Sequence, residues 1–182
     1  MKNIVFTSLL TLSCTASAFN DAHLDAHVHG LVEMNLVAEA SHIEVNITSP
    51  LMNLVGFEYA PRTEAEKAAL HAMAAHFDTP HKWLQFNGNQ CELTRHNISH
   101  GKDEHDDHDH HHGHDHDKQE SQHAELEANY QFKCDSKGLD SVTVSLQEHF
   151  PAIESITLNW IVDAASGSAT LHHDDRQVSF KQ

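Results

Sequence analysis

From Leu31 onward the chain alternates. Val32, Met34, Leu36 and Ala38 share one parity, while Glu33, Asn35 and Glu39 fall on the other. That is the period of a half-buried strand. Glu39 to His42 reads as a turn, and Ile43, Val45 and Ile47 then alternate with Glu44, Asn46 and Thr48, so the two strands form a hairpin that Pro50 ends. The apolar stretch LMNLVGFEYAP follows, with Gly56 as a tight connection. Thr63 and Glu66 make a capping box, which starts a helix that runs to about Phe77 and buries Leu70, Met73 and Phe77. Asp78-Thr79-Pro80 stops it, and Trp83, Leu84 and Phe86 pack on the core nearby.

Cys91 to Arg95 reads as a short strand. From about Asn97 to His123 apolar residues almost vanish, and a segment without burial cannot offset its ordering entropy. Alternation returns in ELEANYQFKC, where Leu126, Ala128, Tyr130, Phe132 and Cys134 oppose Glu125, Glu127, Asn129, Gln131 and Lys133. This strand pairs antiparallel with the Cys91 strand, which makes 97–123 an oversized, disordered hairpin loop. SVTVSLQE, ITLNWIVD, ATLHH and QVSFK read as further strands, with turns at Pro151 and Gly167. The expected fold is α+β: a single domain over 19–182, built of antiparallel sheet with one main helix.

The first eighteen residues stand apart: Lys2, the apolar run IVFTSLLTLS and the small residues Ala16 and Ala18 make a signal peptide, 1–18. A lipoprotein signal ending at Cys14 is the alternative. The run is too short to span a bilayer, and no later stretch does so, which implies an exported chain with no membrane insertion after cleavage. Two cysteines then remain, Cys91 and Cys134, and an even pair in an exported chain reads as a disulfide. It would close a loop of about 43 residues around the polar tract, with the bond near the base of the hairpin loop. Ligation of metal by both thiols is the alternative.

The formal charge is −16, from 11 basic and 27 acidic residues. Such a surface repels phosphate backbones, so nucleic acid is no partner, and it attracts cations. The tract HGKDEHDDHDHHHGHDHD, His100 to Asp117, holds eight histidines and seven carboxylates. Imidazole suits zinc as well as copper, nickel and cobalt. Carboxylates between the histidines ligate, orient imidazoles and raise the local cation concentration. The candidate ligands are His100, His105, His108, His110, His111, His112, His114 and His116, with Asp109 and Asp115. Irregular spacing points to interchangeable weak sites for a divalent transition metal. A plain solvated loop would gain nothing from so many imidazoles.

A second set precedes the first strand. His27 and His29 project from the same side of an extended chain, and His23 joins if the segment turns. Three histidines with one open position form the ligand set of an exchangeable zinc site. The alternative is a polar arm with no role. His172 and His173, adjacent at a strand end, point to opposite faces and are a supporting candidate at most, an ordinary polar turn being the plainer reading. His71, His76, His81, His96 and His149 read as surface or locally bonded residues. Nothing resembles a Ser-His-Asp site, a phosphate-binding glycine loop or an HExxH helix.

The order of His27-Val28-His29-Gly30, Ser49-Pro50, Asn53-Leu54-Val55-Gly56-Phe57-Glu58, Ala60-Pro61, Cys91, the His/Asp tract, Tyr130 to Cys134 and Phe150-Pro151 resembles the ZrgA-type zinc-uptake proteins. The likeness covers nearly all of the chain after the signal. Tyr59 departs from it, standing where that pattern has a histidine. The resemblance implies zinc as the ion, the periplasm as the compartment, and an ABC-type zinc importer component as partner. On that reading the protein is not an enzyme: it captures, buffers or delivers zinc, with His23, His27 and His29 as a fixed site and the tract as a collector. Two other readings are a zinc-dependent hydrolase-like enzyme on those three histidines, with Glu33 as the only carboxylate close in sequence, and a metal-gated interaction module. The oligomeric state is open.

Overall fold

The computed structural model describes residues 28–87, 90–101, 124–135 and 138–180. Residues 1–27, which include the expected signal peptide 1–18, and 102–123 lie outside the described residues. Two strands open the fold, β1 (Leu31–Glu39) and β2 (His42–Pro50), followed by the short helix α1 (Met52–Val55) and the main helix α2 (Glu64–Phe77). A 3-10 turn at Pro80–Lys82 leads to β3 (Leu84–Asn87), β4 (Cys91–His100) and β5 (Glu125–Cys134). Then come β6 (Ser141–Val144), α3 (Leu146–His149), β7 (Ser155–Val162), β8 (Ala165–Leu171) and β9 (Gln177–Ser179). The strands form a six-stranded sheet, order β4-β5-β2-β1-β7-β8, and a three-stranded sheet, order β3-β6-β9.

The expected hairpin β1–β2 pairs from Glu39↔His42 to Glu33↔Thr48, and its apolar parity is buried: Met34 and Val45 are 0% exposed. The α2 capping box forms as its sequence requires. Thr63 accepts from the Glu66 N–H, and the Glu66 carboxylate accepts from the N–H groups of Arg62 and Thr63 and from the Tyr59 hydroxyl. The Arg62 amide, then the Tyr59 hydroxyl, holds the Glu66 carboxyl down at about 2. At the other end of α2, Phe77 packs on Trp83 and Phe150, and the Tyr130 hydroxyl donates to the Phe77 carbonyl at 2.9 Å. One core cluster therefore spans both sheets and α2.

Five expectations are corrected. The sheet is not wholly antiparallel, because β1 pairs parallel with β7, Leu31↔Ser155 through Ala38↔Val162. A parallel neighbour needs a long crossover, and here everything from β2 to α3 serves as one. The segment SVTVSLQE is strand only to Val144; Leu146–His149 is a helical turn that buries Leu146 and Gln147. Gly167 marks no turn: it lies in β8 opposite Trp160, where a Cβ would come within 2.6 Å of the indole. The turn is instead at Asp163, which takes the left-handed conformation (φ 52°).

The fourth correction concerns β4, which continues through Asn97–His100 rather than ending near Arg95. A bulge between Leu93 and Arg95 inserts Thr94, whose hydroxyl bonds the Gln131 carbonyl. The extra residue breaks the period of two, so the alternation cannot be followed through it. The fifth concerns only the position of the disulfide: the pairing is as expected, but it does not lie near the base of the loop. Cys91 and Cys134 are bonded, so neither sulfur is a thiolate for metal. They face each other at one end of the β4–β5 ladder, whereas the tract leaves from the other, beyond His100↔Leu126. The bond locks the open end of the hairpin, roughly 30 Å from the loop.

His76 adds a pH prediction. Its ring, in the last turn of α2, lies 4.2 Å from that of His149 and edge-on to Phe150. Burial, then the neighbouring His149, then Lys82, lowers its pKa. The unfolded chain therefore takes up this proton more readily than the folded one. The contribution of His76 is fully present above about pH 6.5 and declines as pH falls toward the lowered folded value. Melts in chelator between pH 7.5 and 5 should show a shallower acid limb for His76→Gln than for wild type. Parallel curves would refute this.

Candidate metal site

His29 sits in a turn, with Leu31 N–H donating to the Val28 carbonyl at 3.1 Å. The chain therefore bends between Val28 and Leu31, just before β1, while His27, expected on the same side as His29, lies outside the described residues. Gly30 makes the bend at φ +86°, and a Cβ there would stand 3.0 Å from the Glu154 side chain. The turn is held from beneath. Asn53 is 2% exposed; its Oδ1 accepts from Gly30 N–H at 2.7 Å, and its Nδ2 donates to the Leu31 carbonyl at 2.8 Å. The Gly30 carbonyl accepts from Glu154 and Ser155, which ties the turn to the start of β7. With both amide groups of a buried Asn engaged, the bend is fixed on the body.

Across from it, Gly56 caps α1 in the left-handed conformation, and Phe57 is buried next to it. This presents Glu58. Its Oε1 lies 2.9 Å from His29 Nε2, and the carboxylate is 10% exposed against 55% for the imidazole. A carboxylate on an imidazole is the arrangement that orients a metal-ligating histidine, or ligates beside it. Sequence reasoning missed Glu58. It lies 29 residues from His29, and its only signal was its place in the NLVGFE motif. Glu33 projects from the exposed parity of β1. Tyr59 is 44% exposed, stacks under Arg62 and bonds Glu66, so it braces the start of α2.

The other candidates separate. His100 ends β4, paired with Leu126. His23, His27, His105, His108, Asp109, His110, His111, His112, His114, Asp115 and His116 lie outside the described residues. His172 and His173 are exposed in a tight turn closed by two bonds between His172 and Asp175. His96 bonds Asp78 at 3.2 Å. Among the described residues no group of three or more His, Cys, Asp or Glu side chains comes close enough to hold a metal. No helix among them is long and apolar enough to cross a membrane.

Comparison with curated proteins finds no match. Comparison with protein families finds one, described as ZrgA family zinc uptake protein, over residues 26–180. That span takes in the His29 turn, Asn53, Glu58, both cysteines and the tract. The chain belongs to the ZrgA family of zinc uptake proteins.

Proposed function

We propose that this protein is a periplasmic zinc-binding protein that captures, buffers or delivers Zn²⁺ for import through a zinc uptake system. The acidic histidine tract collects the ion, and a fixed site at the N-terminal edge of the body holds it more tightly. His29 and Glu58 form the rigid half of that site, and His27 and His23 supply further imidazoles. The partner is a component of an ABC-type importer. The observation that carries the reading is the His29–Glu58 pair, which sets an exposed imidazole on a mostly buried carboxylate within the segment that the family match covers. A neutral imidazole and a carboxylate make a donor set suited to zinc.

Zinc titration by calorimetry tests it. Glu58→Ala and His29→Ala should each weaken the tightest site by 10- to 100-fold, the range for losing a ligand's carboxylate partner. Glu58→Gln, which keeps a hydrogen bond but no charge, should fall between. Wild-type affinity in both alanine variants would rule out the fixed site here.

A further inference from the structure

The open face of the six-stranded sheet carries a line of asparagines. Asn97, Asn129, Asn46, Asn35 and Asn159 are direct register partners across β4, β5, β2, β1 and β7, and Ser168 of β8 completes the line. All five are exposed, and they are five of the ten asparagines in the chain. Asn is depleted in strands, so concentrating half of them on one line of a sheet runs against local propensity. Each amide carries both donors and acceptors. Asn159 Nδ2 donates to Asn35 Oδ1 at 3.2 Å, and such sideways bonds leave further donors and acceptors pointing outward.

We propose that this face is a self-association surface whose occupant is a second copy of the chain, packed face to face about a two-fold axis along the asparagine line. Amides are the polar groups that match themselves. The flanking lines agree with that axis. It sets Gln131 opposite Glu127 on β5, Glu44 opposite Thr48 on β2, and Lys133 opposite Glu125 on β5. No carboxylate then faces a carboxylate along these strands. On β1 and β7 the same axis sets Val37 opposite Glu33 and Ile161 opposite Thr157, so these two side chains, 40% and 51% exposed in the single chain, would be covered by the polar positions of the other copy. Six strands about 4.8 Å apart and about eight residues long give roughly 600 Å² per copy, close to the lower range of a specific interface. The acidic net charge opposes pairing, so salt should strengthen it.

The test is sedimentation of the full exported chain in chelator, which prevents bridging by metal. A concentration-dependent dimer is expected, tightening as salt rises. Gln131→Glu sets two acids face to face and should weaken the dimer at least tenfold, whereas Gln131→Lys should strengthen it. The same charge changes at the exposed Ala72 of α2 should do neither. Melting curves check that every variant is folded. A chain that stays monomeric at high concentration and high salt overturns the proposal, as does a response at Ala72 equal to that at Gln131.

Discussion

Replacing residues 102–117 with a short glycine-rich turn is expected to remove most of the zinc capacity while leaving the tightest site in place. The replacement deletes seven histidines, His105 to His116, and spares His100, which belongs to β4. At about three imidazoles per ion, some two zinc ions should be lost. The body should tolerate the change. The last ladder pair, His100↔Leu126, and the bond from Gly101 N–H to the Glu125 carbonyl lie on the sheet side of the excision. Calorimetry at pH 7.5 reads both quantities in one titration. The converse variant, His29→Ala with Glu58→Ala, should keep the capacity and lose the tight phase. If excision removes all tight binding and the converse variant titrates like wild type, the tract is the whole of the metal chemistry.

Breaking the disulfide should cost the most stability of any single change proposed here. Cys91 and Cys134 are 43 residues apart, and releasing that loop frees unfolded-state entropy worth on the order of 4 kcal/mol. In a chain of this size that is a fall in Tm of about 8–16 °C. The cost has a specific location. β4 is an edge strand, bonded on one side to β5, and its ladder is already interrupted at the Leu93–Arg95 bulge. Without the bond, the Cys91–Leu93 end should fray first. The paired change Cys91→Ala and Cys134→Ala should therefore show faster amide exchange at Glu92 and Leu93 than at Ile98. Zinc affinity should be unchanged, since both sulfurs are consumed by the bond. Thiol labelling of unreduced, denatured wild type should find neither cysteine free, and two reactive thiols would contradict the pairing.

Strands β1, β2 and β5 and the capped start of α2 were legible in the sequence because each is a local pattern. Period-two alternation settles which face of a strand is buried, and Thr63 with Glu66 settles where the helix begins, without reference to distant residues. The composition of the tract, with its eight histidines, was legible for the same reason, and the metal chemistry proposed for it rests on that composition. What the sequence could not determine depends on partners far apart along the chain. The parallel seating of β7 on β1 requires a crossover through the second sheet. Gly167 reads as a turn until Trp160 is known to lie across it, and the bulge at Thr94 hides the five residues of β4 after Arg95 by breaking their parity. Glu58 looked like one carboxylate among 27 acidic residues. Only the fold sets it on His29, because Asn53 pins the Gly30 bend while Gly56 turns the chain back toward it, and a contact across 29 residues leaves no periodic trace.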